Sequence, residues 1–145
     1  MPLDPPLSSA DHIAGPDDAL VTLVHYGDFE CPYSKDVHDL VADIREHHPM
    51  GIRFVFRHFP LRPHPNALAA ALASEEAARQ GGFWLLHDRM YAHQMALRPA
   101  QLAEHAEAVT ALGQWTAGAG RGQRETILLD PVETHLSLEL IDDAY

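Results

Sequence analysis

The chain has 145 residues, enough for one domain with a core, and its 46% hydrophobic and 21% charged content is that of a globular polymer rather than a disordered one. Its 10 basic against 21 acidic residues give a net charge of -11, which disfavours nucleic acid and anionic membrane surfaces, because phosphates call for clustered Lys and Arg. A single cysteine excludes an internal disulfide, and no apolar run approaches the roughly 18 residues that would span a bilayer.

Residues 1–18 are rich in Pro, Asp and Ser. They carry neither the basic nor the apolar region of a signal peptide and read as a poorly ordered lead-in. The segment "ALVTLVHYG", residues 19–27, is a short apolar run containing Val21, Thr22 and Val24, which predicts a buried strand. "DFECPYS" follows as a turn. From Pro32 to about His48 the spacing predicts a helix, with Val37, Leu40, Val41 and Ile44 on one face and Pro49 and Gly51 as the stop. "IRFVFRHF", residues 52–59, predicts a second strand. Strand, helix and strand in this order make a βαβ unit with parallel strands and a right-handed crossover.

After the proline-dense "PLRPHP", three helices are expected. They are "NALAAALASEEAARQ", stopped by Gly81 and Gly82, then "FWLLHDRMYAHQ", then "PAQLAEHAEAVTAL" with Pro99 in its first turn. Residues 113–145 change character. "GQWTAGAGRGQR" is Gly-rich, and "DPVETHLSLELIDDAY" predicts a helix capped by Asp130, although the alternation of Leu136, Leu138 and Leu140 also fits a strand. The expected division is a lead-in over 1–18, an α/β core over 19–112 and a divergent segment over 113–145.

Cys31 stands at the predicted strand-to-helix junction in "FECPYS". Free backbone N–H groups of the first helical turn point at a sulfur in that position, and the positive end of the helix dipole favours its thiolate. Pro32 suits the first helical position, and Ser34, one turn on, can donate a hydrogen bond to the sulfur but cannot attack a disulfide. A lone cysteine is more commonly a small core residue than a catalyst. Placement inside a βαβ unit, where C-x-x-C redox sites occur, tips the balance towards function.

"GPDDALVTLVHYGDFECPYS", with "IRFVFRHFPL", "HPNALAAALASEEAARQGGFWLLHDRMYAHQ" and "LAEHAEA", resembles the DsbA-like branch of the thioredoxin superfamily. It is especially similar to the thioredoxin-like domains found alone or fused to sodium/proton antiporters. The resemblance implies a thioredoxin fold with a helical insertion after the second strand. It makes Cys31 the nucleophile, Pro32 and Tyr33 the intervening dipeptide, and Ser34 the replacement for the resolving cysteine. His25, six residues before Cys31, falls where relatives often carry a buried carboxylate. A neutral His25 would accept a proton and a charged one would favour the thiolate, against the equally weighted alternative of a strand histidine bonded to its neighbours.

The Thr-Pro or Val-Pro that opens a C-terminal β-hairpin in such proteins is missing or replaced here. The exposed sheet edge this leaves would be met by a homodimer or by a partner's edge, the alternative being a truncated or frame-shifted product.

The expected function is therefore thiol–disulfide exchange in the cytoplasm through one nucleophilic cysteine. A disulfide-containing protein or glutathione is the partner, with glutathione as a cosubstrate and no bound cofactor. The competing readings are a redox-inactive binding or assembly module and, more weakly, glutathione-dependent isomerisation or transfer. No metal site is assigned: His47 and His48, His58 and His64, and His87 and His93 lack zinc-motif spacing. Phe83, Trp84 and Tyr91 read as packing residues. Arg53, Arg57 and Arg62 form a basic cluster expected to balance Asp28 and Glu30, or to flank a glutathione carboxylate.

Overall fold

In the computed structural model, residues 3 and 5–117 are described. The elements in chain order are β1 (His12–Ala14), β2 (Val21–Gly27), α1 (Pro32–His47), β3 (Ile52–His58), α2 (Ala67–Arg79), α3 (Phe83–Ala92) and α4 (Pro99–Ala117). The Gly-rich loop and the boundary expected at residue 113 are corrected in part, because α4 runs on as helix through Ala117; the rest of that loop, the C-terminal helix and the missing hairpin concern residues beyond 117, outside the described ones.

The three strands form one sheet in the order β1-β3-β2. β2 runs parallel to β3, from Val21 opposite Ile52 to Gly27 opposite His58, as the βαβ reading requires. β3 reads as an apolar run because it is central: Phe54, Val55 and Phe56 are all fully buried. β2 is less buried than expected. Val21 and Tyr26 are exposed, and among the described residues its outer edge has no strand partner.

β1 corrects the sequence reading of residues 1–18 as a poorly ordered lead-in. His12 pairs opposite Phe56 and Ala14 opposite Phe54, antiparallel to β3. Polar anchors fasten this short strand. Arg57 donates to both Asp11 oxygens at 2.6 and 3.0 Å and to the carbonyls of Pro5 and Pro6, each at 3.0 Å. Arg53 donates to Asp17 at 2.8 Å. These two arginines thus hold the lead-in, instead of balancing Asp28 and Glu30. Gly15, at φ +101°, turns the chain out of β1, and a side chain there would run into the Ile52 carbonyl.

α1 starts at Pro32 and carries Arg45 and His47 in its last turn, complementing the dipole. Its predicted apolar face meets the core only in part: Val41 is buried, whereas Val37 and Leu40 are exposed. The insertion α2–α4 supplies most of the core. Ala70, Ala73 and Ala77 of α2 pack with Phe83, Leu86, Met90 and Tyr91 of α3 and with Leu102, Ala106 and Val109 of α4, around Phe29 and Phe56. The small side chains of α2 let its backbone lie close to its neighbours. No helix among the described residues is long and apolar enough to cross a membrane.

Candidate active site at the start of α1

β2 ends at Gly27, and its hydrogen-bonded neighbour β3 ends opposite at His58, so the loops that follow both strands meet at one end of the sheet. Gly27 is required there. A Cβ would overlap the Phe56 ring and sit 2.9 Å from the Tyr91 hydroxyl. Cys31 is the N-cap of α1, with extended backbone (φ -80°, ψ 122°), and its carbonyl accepts from the Lys35 N–H at 3.2 Å. No side-chain oxygen caps the helix, so the thiol occupies the capping position. It is buried at 9% exposure, while Tyr33 beside it is 77% exposed. The sulfur therefore lies in a recess next to a solvent-facing aromatic ring.

Three side chains that sequence reasoning did not select hold this loop. Asp28, 3% exposed, accepts from the Glu30 N–H at 2.8 Å, the Leu61 N–H at 2.9 Å and His64 Nδ1 at 2.6 Å. It ties the Cys31 loop to the loop after β3. Gln94, just past α3, donates from Nε2 to the carbonyls of Phe29 at 2.9 Å and Cys31 at 2.7 Å. Tyr91 on α3 reaches the Asp28 carbonyl at 3.5 Å. Burial, reinforced by the nearby charges of Asp28 and Cys31 and opposed by a hydrogen bond with Ser34, holds the Tyr91 hydroxyl protonated. Glu30 turns away from the thiol and accepts from the N–H and side-chain amide of Asn66, both at 2.7 Å, at the start of α2. In the pattern "FW..HD..YAHQ", Phe83, His87, Tyr91 and Gln94 recur at helical spacing; Tyr91 and Gln94 reach the Cys31 loop, while Phe83 and His87 pack in the core.

The sequence profile of the family described as Thioredoxin matches residues 8–134. The chain belongs to the thioredoxin family. It is 46% identical over 108 residues to the Na(+)/H(+) antiporter NhaA 3 of Salinispora tropica, covering 74% of this chain but 16% of that protein. It thus spans about a sixth of the length of such relatives. The oxidised structure of BdbD from Bacillus subtilis is similar at TM-score 0.59 and 25% identity, covering 74% of this chain and 68% of that one. The catalytic domain of Proteus mirabilis ScsC shares the fold at TM-score 0.69 and 20% identity, covering 94% and 68%. The DsbA-like resemblance and the thioredoxin-like α/β fold read from the sequence are borne out.

In this thioredoxin-family chain, Cys31, Pro32, Tyr33 and Ser34 come together at the start of α1 as expected. Ser34 Oγ accepts from the Asp28 N–H at 3.2 Å, and among the described hydrogen bonds none joins it to the Cys31 sulfur. His25 is buried in β2, its ring packed edge-on to Phe56 at 5.5 Å. Burial, with the neighbouring His87 and His38 adding to it, lowers its pKa to about 4, so it is neutral at pH 7, and its Nδ1 has no partner. A neutral His25 does not supply the positive charge that would favour the thiolate. None of the histidine pairs considered from spacing forms a three-ligand group. Instead His58 meets His12 and Glu75, and His87 meets His38 and Asp88.

Proposed function

We propose that the protein catalyses thiol–disulfide exchange through Cys31 alone. The thiolate attacks one sulfur of a protein disulfide or of a glutathione mixed disulfide. An S–S bond to Cys31 forms, the substrate S–S bond breaks, and the departing sulfur leaves as a thiolate and takes up a proton. A second thiol, with glutathione as the chemical class, then attacks the Cys31 disulfide and regenerates the free thiolate. No electrons accumulate on the protein, so no bound cofactor is needed. The proposal sets this reaction in the reducing cytoplasm, where such a thiol is plentiful.

The observation that carries the reading is the thiol in the N-cap position of α1, at the end of a parallel β-strand, in a chain of this family. The N–H groups of the first turn stabilise negative charge there. The opposing reading, a redox-inactive binding module, draws on the exposed Tyr33, Val37 and Leu40, an apolar stripe that would seat a peptide with or without chemistry. Two measurements separate them. Alkylation of Cys31 at pH 7 is expected to outpace alkylation of free glutathione by about tenfold or more, as for thiols at helix N-termini. Deglutathionylation of a mixed-disulfide peptide is expected to turn over with glutathione and to stop in Cys31→Ser. Alkylation no faster than that of glutathione, with no turnover, leaves only the binding module.

A further inference from the structure

The second histidine cluster lies between α1 and α3. His38 of α1 and His87 and Asp88 of α3 place three ligand atoms within 4.8 Å of one another. Asp88 Oδ1 is 2.8 Å from His87 Nδ1 and 3.2 Å from His38 Nε2. Ligands held about 2.0–2.1 Å from a tetrahedral ion lie about 3.3 Å apart, which both contacts to Asp88 approach. The rings are held firmly. His38 stacks on Tyr91 at 4.7 Å, and His87 is 1% exposed among Phe29, Phe56, Trp84 and Tyr91.

The remaining nitrogens point the same way. His38 Nδ1 lies 3.0 Å from Asp39 Oδ1 while its Nε2 faces Asp88, so one carboxylate stands behind the ring and another in front of it. A carboxylate behind a ligating imidazole is the usual outer-shell support of a metal site. His87 Nε2 is buried with no partner, in a cage of aromatic rings. His87 Nδ1 donates to Asp88 Oδ1, so the polar side of the ring is turned on the same carboxylate oxygen that His38 Nε2 reaches. A divalent cation that binds there displaces the protons between these three atoms. The other cluster differs. His12 and His58 crowd one oxygen, Glu75 Oε1, at 2.6 and 2.7 Å, well inside the separation of two ligands on one ion.

We propose that His38 Nε2, His87 Nδ1 and Asp88 Oδ1 bind one divalent transition-metal ion of the zinc class. The Asp88 side chain is 66% exposed, so a fourth position opens to water. The ion cross-braces the helix that presents Cys31 to the helix that clamps it.

The test uses the untagged, chelator-treated protein with Zn²⁺ competing against a chromophoric chelator. One equivalent is expected to bind, and His38→Gln, at a partly buried side chain, or Asp88→Asn, at an exposed one, to weaken binding by about 100-fold or more. Glu75→Gln, in the other cluster, and Cys31→Ser, in the thiol site, are expected to leave it unchanged. Circular dichroism confirms that each variant is folded, and Zn²⁺ is expected to raise the Tm of the parent protein but not of Asp88→Asn. Absence of stoichiometric binding overturns the proposal. So does binding indifferent to both His38→Gln and Asp88→Asn, or lost in Glu75→Gln or Cys31→Ser.

Discussion

Asp28 does more for the site than its place in the sequence announces. It is a buried carboxylate spending its oxygens on two backbone N–H groups and a histidine, and each of those donors belongs to a loop that borders the thiol. Asp28→Ala strands them with little access to water. A donor left unsatisfied costs about 1–3 kcal/mol, so a loss of about 2–4 kcal/mol is expected in urea unfolding. A loss below about 1 kcal/mol would mean the loops are held by something else. Ser34 poses the converse question, what an added thiol would do. It stands three residues after the N-cap, within the separation a disulfide spans, and it is buried beside Cys31. Ser34→Cys is expected to lose two mass units under mild oxidation and to protect both thiols from alkylation. Two thiols that stay free would show that the recess holds them apart.

Elements were legible wherever a period ran long enough. The βαβ unit and three following helices stood out from apolar spacing, Pro32 and Pro99 at helix starts, and the Gly81–Gly82 stop. β1 was not legible, because three residues carry no period and its partners come from β3, forty or more residues later. Polar pairing with Arg57 and Arg53, rather than apolar burial, holds that strand, and composition alone reads such a segment as loose. The thiol end of the site was legible because Cys31, Pro32 and Ser34 are contiguous. The α3 side was not, since the same helical spacing of Phe83, His87, Tyr91 and Gln94 serves packing and function alike. His38 meets Asp88 across fifty residues of chain. The clamp between these elements is testable through Gln94. Its amide makes two carbonyl hydrogen bonds, and Gln94→Ala is expected to cost about 1–2 kcal/mol. Amide exchange should rise over residues 29–34 and stay unchanged in β3. Uniform exchange changes across the chain would instead mean that Gln94 contributes only to global stability.

At the scale of the whole molecule, pH sets two opposing effects against each other. The net charge of -11 becomes less negative as the eleven histidines protonate, which relieves repulsion on acidification. That relief is long-range and is screened beyond about 8 Å at physiological salt. His25 acts locally and in the other direction. Burial, with His87 and His38 nearby, takes its pKa from 6.5 to about 4, so between those values the unfolded chain binds a proton that the fold refuses. Stability from this group is complete above pH 6.5 and is lost as pH falls towards 4. Burial lowers the pKa values of His87 and His105 as well and adds to the same slope. His38 runs against it: burial opposes its charged form, but Asp88 and Asp39 outweigh that and raise its pKa. Three depressed groups against one raised group predict a net loss on acidification. Glu75 adds to the loss at the acid end, as pH falls through its ordinary value of 4.5. Burial works to raise its pKa, but the bonds from His12 and His58 win and bring it down to about 2. Urea midpoints in chelated buffer at physiological salt are therefore expected to fall from pH 6.5 to 4, and His25→Gln to flatten that fall. Midpoints that rise on acidification would mean that charge repulsion, despite screening, governs the stability of this chain.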